Sequence, residues 1–193
     1  MKKLIILLFI LSPSSYAKEN IFKPLIVRGI EVPPGSVIAQ STVYLEGKIQ
    51  RFSFSCTGSV LSSDLILTAG HCLGGGGDAD LKAYFRTTTK GSGPVIKVIG
   101  QLRMSDDFTS VLDRNDIAVL KLETPIPANY RPVKILTDAN KIQDGADIVL
   151  AGYGDTKPSP DAPTLLAASD IWTLRSVDQK IITAHLTEKE ILI

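Results

Sequence analysis

The sequence holds two histidines and two cysteines, and one of each are neighbours. His71 and Cys72 close the stretch Leu67-Thr68-Ala69-Gly70-His71-Cys72, at the end of an apolar run. An imidazole in that place has three uses. It can take and return a proton near neutral pH, it can ligate a metal, or it can be a satisfied core histidine. The metal reading is the weakest of the three, because His71, Cys72 and the distant His185 show no recognisable ligand spacing. His185, in the strand-like KIITAHL, reads as structural or exposed and is assigned no role. The four glycines at 74–77 lack a strand–loop–helix context, so they read as a flexible loop rather than a phosphate cradle.

Bulk properties narrow the field. The chain has 193 residues, a formal charge of +1 and 21% charged residues. No basic excess points to nucleic acid, and no charge block points to a disordered tail. The opening MKKLIILLFILSPSSYA has two lysines, the apolar run Leu4–Leu11 and small residues at Ser15 and Ala17. This is the pattern of a secretory signal peptide over residues 1–17, and its apolar run is too short to span a bilayer. The expected location is secreted or periplasmic, with no membrane association once the signal is removed. Loss of Lys2 and Lys3 takes the charge from +1 to −1. In an exported chain, two cysteines are expected as a disulfide rather than as two thiols.

The elements that must position these residues read as strands. Short runs rich in Val, Ile, Leu, Tyr and Phe recur: VIAQSTVYL, RFSFSCTGSVL, DLILTA, KAYFRTTT, PVIKVIGQL, DIAVLKL, ADIVLAGYG, DIWTLR and KIITAHL. Turn formers separate them, among them PPGS, GGGGD, KGSGP, DRND and KPSPDAP. Alternation in Phe52-Ser53-Phe54-Ser55 predicts half-buried antiparallel strands, and no stretch shows clear helical periodicity. The expected class is all-β, a barrel or a sandwich. Three prolines between Glu123 and Ile135 resist helix and central strand alike, so this segment reads as a linker between two β units.

Three patterns follow one another along the chain: CTGSVLSSDLILTAGHC at 56–72, NDIAVLKLETPIP at 115–127 and AGYGDT at 151–156. In this order, after a signal peptide, they closely resemble the trypsin-like (chymotrypsin-fold) serine protease family. TAGHC stands for the family's T-A-A-H-C, DIAVL for D-I-A-L, and GYG for G-W-G, with Gly70 and Tyr153 as departures. The resemblance implies a chymotrypsin-like double antiparallel β-barrel. Residues 26–134 would form the N-terminal barrel with its linker, and 135–193 a partial C-terminal barrel. It implies that His71 is the general base and that Asp116 orients it, since a serine hydroxyl needs an adjacent base and the base needs its tautomer fixed. It implies a Cys56–Cys72 bridge that anchors the residue beside His71. It also implies a mature N-terminus at Ile26, opening Ile26-Val27-Arg28-Gly29, after a short propeptide at 18–25 whose last residue is Leu25. Protein or peptide substrates, no cofactor, no metal and a monomeric state complete what the resemblance implies.

The resemblance has a gap. The family's nucleophile lies in G-D-S-G-G, and that string does not occur in the 193 residues. After Asp116 the serines are Ser159, Ser169 and Ser176, none flanked by glycine, while Gly91-Ser92-Gly93 precedes Asp116 and sits in a turn with Pro94. The expectation is a family member truncated in its second barrel and inactive as given. Unpaired strand edges around 147–193 would then be an aggregation liability. The alternative is a non-catalytic binding protein on the protease fold, and a weaker reading is an unrelated exported β-sandwich. All of this requires that folding bring His71 and Asp116 within hydrogen-bonding reach at the rim of a barrel.

Overall fold

The computed structural model describes residues 29–73, 79–88, 91–103, 116–154 and 173–180. Within them nine strands and one short α-helix are laid out. The strands are β1 (Ile30–Glu31), β2 (Thr42–Ile49), β3 (Phe52–Val60), β4 (Leu65–Thr68), β5 (Asp80–Tyr84), β6 (Val95–Arg103), β7 (Ala118–Leu122), β8 (Asp147–Gly152) and β9 (Arg175–Lys180). The helix α1 spans Val37–Ser41. Six strands close a barrel in the order β2-β3-β4-β7-β6-β5, and β1-β9-β8 form a separate three-stranded sheet. The fold is all-β, as the sequence predicts.

Alternation builds the barrel. On β2 the odd residues Val43 and Leu45 face inward, and on β7 Ala118, Leu120 and Leu122 do the same, all at 1% exposure or less. With Val60, Ile66, Leu81, Ala83 and Phe85 they form one core, closed at one end by Tyr130, whose ring meets Phe85 edge-on at 4.8 Å. Gly58 is inward on β3 for a steric reason. A Cβ there would lie 2.4 Å from the Ile66 side chain, so only glycine admits this packing.

Two differences from the sequence reading have local causes. VIAQSTVYL reads as one strand, yet its first half is helix α1. Ser36 caps that helix by accepting the Ala39 N–H at 3.2 Å, and the Ser41 hydroxyl donates back to the Val37 carbonyl at 2.8 Å. The cap after Pro33-Pro34-Gly35 outweighs the β-branched run. Conversely, β9 is Arg175–Lys180, a polar stretch between the expected strands DIWTLR and KIITAHL. It is held by backbone pairing on both sides, with β1 and β8. Residues 123–138 carry no strand, and among the described residues β8 pairs only with β9 and leaves Val149 52% exposed.

Candidate active site

Strand register brings the chemistry together. β4 and β7 run antiparallel with Leu67 opposite Val119 and Thr68 opposite Ala118. The ladder ends at this last pair, two residues short of Gly70 on one side and of Asp116 on the other. There the chain tightens into a single 3-10 turn, Gly70–Leu73, which carries His71. The Asp116 carboxylate meets that turn with both oxygens. Oδ1 accepts the His71 backbone N–H at 2.7 Å, and Oδ2 lies 2.7 Å from ring Nδ1. Forty-five residues of sequence separate the two.

The polarity of this contact follows from the chemistry of the groups. A carboxylate offers acceptors only, so Nδ1 carries the proton of a neutral ring and Nε2 carries the lone pair. The His71 side chain is 42% exposed and that of Asp116 is 22% exposed, which places the pair on the rim rather than in the core. A proton acceptor on the far side of the ring from its anchoring acid, on a partly exposed side chain, is the arrangement general-base chemistry needs.

A second clamp holds the turn from the other side. Cys56 on β3 and Cys72 are bonded as a disulfide, with Cα atoms 6.2 Å apart and a separation of 16 in sequence. Cross-linking a loop of this size is worth about 3 kcal/mol through the unfolded chain. Cys56, His71 and Cys72 lie within 4.8 Å of one another. With their sulfurs joined, neither cysteine offers the thiolate that a metal site of this kind requires.

The second sheet is fastened close by. β8 ends at Gly152, and the next residue, Tyr153, donates its backbone N–H to the Thr57 hydroxyl oxygen at 3.1 Å. Its own hydroxyl donates to the Arg86 carbonyl, and its ring meets Tyr44 edge-on at 5.4 Å. Tyr44 continues edge-on to Tyr84 at 5.6 Å, and the Arg86 guanidinium lies 4.6 Å over the Tyr84 ring. Burial, reinforced by the nearby Glu46 carboxylate, pushes the Tyr44 phenol up to about 12, and burial alone does the same for Tyr130. Tyr153 is raised further, again chiefly by burial.

Of the residues singled out in the sequence, His71, Asp116, Cys56 and Cys72 converge on this rim. Ile26, the signal and propeptide segments, Ser159, Ser169 and His185 lie outside the described residues. Ser176 sits in the middle strand of the second sheet, paired with Ile30 and Ala151. Ser92 lines a cavity of about 260 Å³ with Pro34, Gln40, Arg86, Asn129 and Tyr130, a lining that includes neither His71 nor Asp116. Thr57 and Thr68 escaped the sequence reading. The one available signal is parity: in RFSFSCTGSV, Thr57 falls on the outward face of a strand whose inward face is the core.

Residues 26–190 match the sequence profile of the trypsin family. The chain belongs to that family. Trypsin epsilon of Drosophila erecta is 32% identical over 127 residues, covering 64% of this chain and 49% of that protein. Trypsin zeta of the same fly is 32% identical over 62% of this chain and 44% of that protein. Brachyurin of Leptuca pugilator is 26% identical over 82% of this chain and 65% of its own length. The chain therefore spans about half the length of the first two relatives and about two thirds of the third. Among solved structures, that of GrC superposes with a TM-score of 0.67 at 21% identity, covering 83% of this chain and 67% of that one. The HL collagenase structure superposes at 0.62 and 19% identity, covering 82% and 64%. These two likenesses speak to the fold, which is chymotrypsin-like.

Proposed function

We propose that this chain carries the general base and the orienting acid of a secreted trypsin-type endopeptidase. The observation that supports this most directly is the two-point grip of the Asp116 carboxylate on His71, at 2.7 Å to the backbone N–H and 2.7 Å to Nδ1. In the reaction, a serine hydroxyl attacks the carbonyl carbon of a peptide bond while His71 Nε2 takes the hydroxyl proton. Asp116 stabilises the imidazolium so formed. His71 then returns the proton to the leaving amine, which departs as the C–N bond breaks. A water molecule, its proton again taken by His71, then attacks the acyl carbon, the ester C–O bond breaks, and His71 returns the proton to the serine oxygen as the acid product leaves. No cofactor enters. Protein or peptide chains are the substrates, and the Cys56–Cys72 bridge fits export to an oxidising compartment after removal of residues 1–17.

The 193 residues contain no G-D-S-G-G, so the polypeptide by itself is proposed to lack the nucleophile and to be inactive. Purified and mixed with an active-site-directed fluorophosphonate, it should give no burst, and a stoichiometric burst would overturn that part. The family reaction is tested by reading the gene past the codon for Ile193 in all three frames. A G-D-S-G-G codon string there, and amide hydrolysis by the product that includes it, are the expected results. A stable, abundant 193-residue protein with no such string following would overturn the peptidase reading in favour of a binding role.

A further inference from the structure

Thr57 sits where three constraints meet. On β3 the even residues Gly58 and Val60 are buried, so Thr57 stands on the outward face, opposite Tyr44 in register. Its hydroxyl oxygen accepts the Tyr153 N–H at 3.1 Å, across a sequence separation of 96. Its carbonyl accepts the Thr68 hydroxyl at 2.9 Å, on the strand that leads into the His71 turn. Its chain neighbour Cys56 is bonded to Cys72, which is the neighbour of His71. A separate observation marks the same point as a designed close approach. A Cβ at Gly152 would lie 3.0 Å from Thr57 Oγ1, so a glycine lets the end of β8 come down onto this hydroxyl.

We propose that Thr57 is a positioning residue, whose hydroxyl sets the spacing between the His71–Asp116 rim and the end of β8. The proposal rests on the peptidase reading for its purpose. There the hydroxyl that His71 serves must come from outside the first barrel, and a misplacement of about 1 Å costs such a reaction on the order of 100-fold. The path is short. A single hydrogen bond ties Tyr153 to Thr57, and from Thr57 one covalent route through the disulfide and one bond to Thr68 both reach the His71 turn. A displacement of β8 is therefore felt at the imidazole.

Three variants of the 193-residue protein test this by NMR. Thr57→Val keeps the β-branched shape and removes the acceptor. Thr57→Ser keeps the hydroxyl. Gly152→Ala pushes β8 off the hydroxyl without touching Thr57. The Tyr153 amide should exchange with solvent about tenfold faster in Thr57→Val and Gly152→Ala, and within about twofold of wild type in Thr57→Ser. The His71 backbone and ring resonances should shift in the first two and return in the third. The Leu120 amide, deep in the first barrel, should keep its wild-type rate throughout. A Tyr153 amide that exchanges without protection in the wild type overturns the proposal. So does Thr57→Val without effect on Tyr153, or a His71 signal that ignores all three changes. A Leu120 amide accelerated alongside reduces Thr57 to a structural residue and overturns it equally. If Thr57→Val does not fold, the wild-type rate and Gly152→Ala still decide. No readout involves hydrolysis, so failure of the peptidase reading would show separately, in the absence of amide cleavage.

Discussion

Replacing Asp116 with asparagine isolates what the carboxylate does for His71. The side chain keeps its shape, and one oxygen becomes an NH2 group that can only donate. Two orientations are available. In the first, the amide oxygen still accepts the His71 backbone N–H, and the NH2 group faces Nδ1, where Oδ2 stood at 2.7 Å. In the second, the NH2 group faces the backbone N–H and two donors oppose each other. An unmade hydrogen bond of this kind costs about 1–3 kcal/mol, so the first orientation should prevail by roughly 5:1 or more. Nδ1 must then present its lone pair, and the ring proton moves to Nε2. Two-bond proton–nitrogen correlation spectra of the neutral ring report this directly. The wild type should show Nδ1–H and Asp116→Asn should show Nε2–H. The loss in stability should be modest, about 1 kcal/mol, because the pair is partly exposed and one of its two bonds survives. That corresponds to a fall of about 2–4 °C in Tm for a chain of this size. If Asp116→Asn keeps the Nδ1–H tautomer, the claim that the carboxylate dictates the proton's place is wrong, and with it the assignment of Nε2 as the base.

Three further outcomes follow from the geometry. Cys56→Ser with Cys72→Ser should lower stability by about 3 kcal/mol, read as a lower urea midpoint, with an unchanged midpoint refuting any structural role for the bridge. Leu120→Ala should cost about 2–5 kcal/mol, because Leu120 is fully buried between β4 and β6, and a loss under about 1 kcal/mol would mean the barrel core is not packed as described. The phenols of Tyr44 and Tyr130, held at about 12 against an ordinary 10, add stability that is present in full below pH 10. That contribution is lost as the pH rises from 10 through 12, since the unfolded chain releases those protons first. Tyr130→Phe should flatten part of this alkaline decline in urea midpoint, and an identical slope would show that the Tyr130 phenol is not shielded.

Legibility in the sequence depended on how far apart the partners lie and what signals them. His71 and Asp116 could be paired from sequence because TAGHC and DIAVL resemble the motifs of the trypsin-like family, and the β4–β7 register then brings the two strings together. The runs that hold Val43, Leu45, Ala118 and Leu120 were legible as strands from their apolar composition, and the structure adds which of their residues face inward. Helix α1 was hidden because VIAQS has strand-like composition and only the Ser36 cap decides otherwise. Strand β9 was hidden because Arg175–Lys180 is polar and gains its conformation from neighbours on both sides, a tertiary effect that propensity does not record. The Thr57–Tyr153 bond links residues 96 apart, neither of them unusual in its own surroundings, so no local pattern could have announced it.

The site itself divides along the same line. Among the described residues, the features that shape the His71–Asp116 contact lie between Cys56 and Leu122: the β4–β7 register, the 3-10 turn, the disulfide, and the buried face of β7 that stiffens the approach to Asp116. A barrel closed on itself needs no second sheet to hold that contact. The His71–Asp116 contact is thus built within the first barrel. The pair can be well formed in a polypeptide that does not cleave anything, and the proposed influence of β8 on it runs through Thr57. The hydrogen bond from Tyr153 to Thr57 joins the chain just after β8 to this barrel. On the proposal that Thr57 is a positioning residue, loss of that bond shifts the His71 turn while both Asp116 hydrogen bonds to it hold.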